Sequence, residues 1–319
     1  MCNTFARHAS GKIVSVENKG TTSGRSAPKG YLAYLALFAA ILCIGWSAIF
    51  VRWTDVPGSV SAFYRMLIPA AILFPTFFIP GKEAPLSRRS LGIIAFGGIF
   101  FALDLALYNS SILRTTAANA TLLGNNSPFF VGLLTWLVFR RRPQASFWIG
   151  LFLAMGGSLI ILRSDLMQHS QFGMGDAMAV GASLFFAMYL LATEEVRTTT
   201  GTLRFLRLAM ISTTVSLFLI NIALGNSFRV SDSRTWAALI GLGLISQLAG
   251  YMALTYALGH LPATVTSLSL LTQGPLTALL AAILLHEALS TAQIGGGLMV
   301  LVGVALAHRQ KHPEEEANV

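Results

Sequence analysis

Ten apolar runs follow one another along the chain, at about 32–51, 59–79, 91–112, 115–138, 146–162, 173–195, 203–224, 235–258, 262–284 and 291–308. Crossing the ~30 Å hydrocarbon core takes about 20 apolar residues in helical form. With no water at that depth, each backbone polar group must be satisfied inside its own segment, which favours helices. Only 11% of the residues are charged and the mean hydropathy is +0.66, whereas a soluble domain is about 25% charged. The pattern predicts an all-α integral membrane protein of ten transmembrane helices.

The formal charge of +9 does not read as a nucleic-acid surface, because the basic residues are scattered as caps between apolar runs. Such caps set topology and touch the headgroups of membrane lipid. With the N-terminus inside, the inner side receives Arg7, Lys12, Lys19, Arg25, Lys29, Lys82, Arg88, Arg89, Arg140, Arg141, Arg142, Arg197, Arg204, Arg207, Arg309 and Lys311. The outer side receives Arg52, Arg114, Arg163, Arg229 and Arg234, and Arg65 lies within a run. This bias predicts both termini in the cytoplasm and a place in the cytoplasmic membrane. Residues 1–30 are expected to be a disordered cytoplasmic tail, since no apolar core closely follows their first charges. Residues 309–319 form an acidic tail. Cys2 and Cys43 suggest neither a disulfide framework nor a metal site.

Two runs are interrupted in the same way. Thr121–Phe130 carries Gly124, Asn125, Asn126, Ser127 and Pro128 in the middle of a span. Pro128 has no amide hydrogen, so the carbonyl of Gly124 loses its helical partner. Leu268–Thr277 repeats the design with Thr272, Gln273, Gly274 and Pro275, at an offset of 147. Gly150 and Gly156 map at that offset onto Gly297 and Gly303. Two five-helix units, 31–165 and 173–308, are therefore expected. An odd number of spans inverts the second against the first, around a central cavity. At 1.5 Å per residue, both prolines fall roughly 20 Å along their runs, near the midplane where repeat transporters bind substrate. The plain alternative is a pair of packing kinks.

Arg65 and Asp104 are charges within spans, at matching depth below the outer face. Such residues usually face the interior and pair, so the two are candidates for an ion pair. Its role is either coupling and gating beside the substrate or purely structural. Trp46 and Tyr108 are the aromatic candidates for the cavity wall. The glycines of the fifth and tenth runs (Gly150, Gly156, Gly157, Gly295, Gly296, Gly297, Gly303) read as close helix contacts. His286-Glu287 lacks the second histidine of a zinc-protease motif, since Ser290 stands there.

The sequence resembles the EamA-type branch of the drug/metabolite transporter superfamily. The matching stretches are Trp46-Ser-Ala-Ile-Phe-Val-Arg52, Ala62-Phe-Tyr-Arg65, Tyr108-Asn-Ser-Ser-Ile, Ala117–Leu123 with Ser127-Pro128, Gln273-Gly-Pro275 and Leu285–Ser290. The resemblance covers about 30–308 and rests on order, spacing and duplication. It implies two inverted five-helix repeats, a central cavity and movement of small metabolites; many such proteins export amino acids or related compounds. A Gly-Glu pair often follows the fourth helix in that family, and Phe139-Arg-Arg-Arg142 stands here instead.

The expected function is thus a secondary transporter, an exporter of small metabolites such as amino acids, working by alternating access. No cofactor, metal or catalytic residue is expected. The chain carries no Gly-x-x-x-x-Gly-Lys-Ser/Thr nucleotide loop, so gradients drive transport or it is facilitative, with protons at Asp104 as the candidate coupling ion. A membrane-embedded enzyme or a non-transporting receptor are the alternatives. The former lacks convergent groups, because the histidines lie in tails, loops and helix ends.

Overall fold

The computed structural model describes residues 29–78, 85–112, 114–115, 123–166, 173–276, 279 and 291–308. The two tails (1–28 and 309–319), the loop holding Lys82, the stretch Ala117–Leu122 and the His286-Glu287 pair lie outside the described residues.

The helices are α1 (Lys29–Gly45), α2 (Ser47–Arg52), α3 (Gly58–Leu73), α4 (Arg88–Ile112), α5 (Ser127–Leu137), α6 (Ala145–Leu166), α7 (Met174–Arg197), α8 (Thr202–Ala223), α9 (Ser233–Gly241), α10 (Tyr251–Leu258), α11 (Ala263–Leu270) and α12 (Thr291–His308). A 3₁₀ turn (Phe74–Phe78) extends α3, and a π-helical stretch (Leu242–Gly250) joins α9 to α10 in one span. Taken with their breaks, these elements make the ten helices of the membrane fold, and no strand occurs among the described residues. Six spans meet the length and apolarity for a crossing, while α5, Ala145–Ile161 and Thr291–Ala307 are shorter apolar helices.

The distribution of side chains is that of a protein solvated by lipid. Large apolar groups point outward: Phe38, Phe78, Phe152, Leu219 and Leu298 are all exposed. Small and polar groups point inward: Ser61, Ser183, Thr213, Asn221 and Gln247 are buried. Helices that need no hydrophobic drive to associate in lipid pack through small residues and polar contacts.

Two seams hold helices from the two halves together. Along the first, α6 packs against α12 through glycines. A Cβ on Gly150 would lie 2.4 Å from the Gly303 carbonyl oxygen, and one on Gly157 would lie 2.4 Å from that of Gly296. As the position advances from Gly150 to Gly157, its partner retreats from Gly303 to Gly296, so the helices run antiparallel. Gly295 has open space where its side chain would be, so it departs from the close contact expected of it.

Along the second seam, α3 and α8 are pinned at both ends. At one end Ser59 Oγ donates to Asn221 Oδ1 (2.9 Å), and Asn226 Nδ2 donates to both of those oxygens at 2.9 Å. Tyr64 donates its hydroxyl to the Phe228 carbonyl at 2.7 Å. At the other end Arg207 donates to the Thr76 carbonyl (2.9 Å) and lies 4.6 Å from the centre of the Phe77 ring.

The first span carries a one-residue turn that its composition did not predict, and the backbone stays helical through it (Trp46 φ −68°, ψ −16°). α1 ends at Gly45 and α2 starts at Ser47, with Trp46 in the turn between them. The Trp46 carbonyl takes hydrogen bonds from the amides of Ile49 and Phe50, both at 3.1 Å.

Candidate functional site

Both interruptions are turns between helical pieces. In the first, Asn125 and Asn126 form a turn and the helix restarts at Ser127. Pro128 therefore occupies the first turn of α5, where a missing amide hydrogen costs nothing. The Asn126 carbonyl accepts from the amides of Phe129 (3.0 Å) and Phe130 (3.4 Å). Ser127 and Pro128 are buried, while Asn125 and Asn126 are half-buried.

In the second, α11 ends at Leu270 and the chain turns at Leu271–Thr272 before a helical piece at 273–276. Thr272 donates its hydroxyl to the Ser269 carbonyl at 2.7 Å. Thr272, Gln273 and Pro275 are half-buried.

The broken segments meet, since α5 packs on α11. Each also rests on a neighbour singled out from the sequence. The ring of Tyr108 covers Gly124, where a Cβ would come within 2.8 Å of it. Gly45, beside Trp46, faces Leu276 at 3.6 Å, and Gly297 faces Pro275 at the same distance. Tyr108 thus belongs to the first break, and Gly45, next to Trp46, lies against the second. Trp46 itself lies 6.2 Å from Phe50, centre to centre.

A buried polar group on α3 lies apart from the broken segments themselves. Arg65 of α3 donates through Nε to Gln247 Oε1 at 2.8 Å and through Nη1 to Ser47 Oγ at 3.5 Å. Its guanidinium carbon lies 5.6 Å from the centre of the Tyr251 ring. Asp104 of α4 is within electrostatic reach of Arg65, and lies one helical turn before Tyr108 on the same face. The candidate ion pair between them does not form. Arg89 and Glu195 do pair, at 3.4 Å on the surface. Gln247 takes the place of the acid, because the π-helical stretch carries its side chain to the Nε edge. Phe101 closes the wall behind, 4.4 Å from Tyr189 and 4.9 Å from Tyr251 between ring centres.

Gln247 and Ser47 were not evident from the sequence. Each stands in an otherwise apolar run and marks no break. The usable signal was the pair Ser246-Gln247 in the middle of the run at 235–258, since a buried amide in a membrane span needs a partner.

A separate groove of about 440 Å³ opens between the end of α4 and the start of α3, lined by Ser59, Ser110, Arg114, Met178 and Asn226 among others. Its lining does not include the residues of either break.

The EamA-like transporter family model matches residues 31–163 and again residues 173–309. The pseudopaline exporter CntI of Pseudomonas aeruginosa is 26% identical over 263 residues, 80% of this chain and 88% of that protein. The uncharacterized transporter YwfM of Bacillus subtilis is 25% identical over 298 residues, 89% of this chain and 98% of that protein. A solved crystal structure superposes with a TM-score of 0.71 at 18% identity, covering 86% of this chain and 96% of that one, a likeness of fold.

Proposed function

The chain belongs to the EamA-like transporter family, matched once in each half, and we propose on that premise that it is a secondary carrier exporting small metabolites by alternating access. The single observation that carries the mechanism is the contact between the two broken helices, α5 and α11, with Tyr108 covering Gly124 at the first break. Half-buried polar groups at such breaks are tolerated in a membrane only against protein or a watery space. Asn125, Asn126, Ser127, Thr272 and Gln273 are the proposed substrate-facing groups, with Pro128 and Pro275 keeping the breaks open.

The two halves are proposed as inverted five-helix units rocking about that contact. The antiparallel run of α6 against α12 is the relation such an inversion requires of repeat mates. Both termini are placed in the cytoplasm and the protein in the cytoplasmic membrane, on the bias of basic residues. Export is the direction favoured by the relative named as a pseudopaline exporter. Amino acids and related compounds are the substrate class proposed from the family resemblance. Asp104 is the proposed coupling group, exchanging a proton for substrate.

The test is flux. The purified protein is reconstituted in liposomes with a panel of labelled amino acids, with and without a pH gradient. Flux of at least one substrate supports the carrier; no flux of any solute contradicts it. Proton-dependent flux that survives Asp104→Asn contradicts the coupling role.

A further inference from the structure

A half-buried acid on α4 and a buried base on α3 lie on helices that both pack against Tyr251, yet they do not pair. Charges at this depth are costly, and ordinarily face one another. Arg–carboxylate pairs close to about 2.7–2.9 Å and are often bidentate. Here no Arg65–Asp104 contact falls within ion-pair distance, and Asp104 receives no hydrogen bond from a described residue. Phe101, three residues before Asp104 on α4, lies 4.9 Å from the Tyr251 ring centre, and the Arg65 guanidinium carbon lies 5.6 Å from the same centre. Asp104 keeps part of its surface open, whereas Arg65 is 7% exposed.

The guanidinium is oriented by other groups. Gln247, 1% exposed, fixes its Nε edge, and Ser47 and the Tyr251 ring hold the rest. Gln247 sits in the π-helical stretch, a geometry that recurs at functional sites. A guanidinium has five donors, more than these three neighbours occupy. The acid side of the gap is tied through Tyr108 to the first break, at Gly124. The base side is tied through Ser47, in the turn beside Gly45, to the second break at Leu276.

We infer that Arg65 and Asp104 form a two-point site for a zwitterion, with the substrate's carboxylate on Arg65 and its ammonium on Asp104, and that Gln247 is the positioning residue that keeps the two apart. The inference rests on the carrier reading and narrows it. A ligand with both charges a few ångströms apart satisfies both residues together. A ligand with one charge leaves the other residue buried and uncompensated.

The experiment is equilibrium binding to the full-length protein in nanodiscs. The probes are labelled L-leucine, L-phenylalanine, L-lysine and L-glutamate, each beside its decarboxylated amine and its deaminated acid. At least one amino acid is expected to bind, with both one-charge analogues weaker by about 10-fold or more. Asp104→Asn should erase the preference over the deaminated acid. Arg65→Lys, which keeps the charge and loses the fork, should weaken the amino acid about 10-fold. Gln247→Leu should weaken the amino acid more than its decarboxylated amine, and it should also cost stability because the buried Arg65 Nε loses its acceptor. Equal affinity for amine, acid and amino acid overturns the inference, as does failure of all four amino acids to bind. Liposome flux separates the two levels. Flux of other solutes without zwitterion preference sinks the two-point site and leaves the carrier. Zwitterion-selective binding without flux does the reverse.

Discussion

Gly150 and Gly303 meet backbone to backbone: a Cβ on Gly150 would lie 2.4 Å from the Gly303 oxygen, and one on Gly303 would lie 2.5 Å from the Gly150 oxygen. The same reciprocity holds for Gly157 and Gly296, at 2.4 and 2.6 Å. Reciprocal contacts of this sort arise where one surface meets a copy of itself about a two-fold axis. Gly150→Ala and Gly303→Ala should each push the helices apart and cost about 1–3 kcal/mol. The double substitution should cost less than the two added, because the first already separates the backbones. Thermal unfolding in detergent checks both.

Arg140 follows α5 with a φ of +54°, in the left-handed region. The Arg141 amide donates back to the Thr135 carbonyl at 3.1 Å, the long-range bond of a helix stop that glycine usually closes. An L side chain in that conformation costs about 1–2 kcal/mol. Arg140→Gly should therefore raise stability by about 1 kcal/mol. Arg141 and Arg142 keep that loop basic, so the proposed orientation should stay as it is. An unfolding midpoint at or below that of the parent would refute this.

Asn221 is fully buried and joins Ser59 to Asn226. Its Nδ2 also reaches the Ser59 carbonyl at 3.0 Å. Asn221→Ala should strand these partners and cost about 2 kcal/mol. Thr214→Ala, which removes a hydroxyl bonded within its own helix to the Met210 carbonyl, is the control and should cost well under that.

Pro128→Ala and Pro275→Ala restore an amide donor at each break. Both should leave thermal stability unchanged or higher, while flux in liposomes falls about 10-fold, a rise of roughly 1.4 kcal/mol in the barrier. Undiminished flux in both variants would mean that the breaks are packing features alone.

The membrane fold was legible because it follows from the length of the apolar runs, a property that burial elsewhere cannot mimic. The paired breaks were legible because a proline following small and polar residues in mid-run suits the first turn of a new helix. The turn at Trp46 was not, since Gly45-Trp46 sits in an apolar run that reads as one helix. The partner of Arg65 was missed for a related reason. Matching depth selects Asp104, but the choice between Asp104 and Gln247 depends on how the span containing Gln247 is wound. A π turn leaves no mark in the hydrophobic pattern. Gly295 was grouped with its neighbours by spacing, yet one position around a helix separates a facing residue from an outward one.

The central claim is that the two breaks face one shared, watery space. The most direct test is thiol accessibility in proteoliposomes, with Asn125→Cys and Thr272→Cys introduced singly after Cys2→Ser and Cys43→Ser. A water-borne, membrane-impermeant thiol reagent should modify both positions, and a transported solute should slow both reactions. Modification of neither position, in a protein that remains folded, would contradict the account.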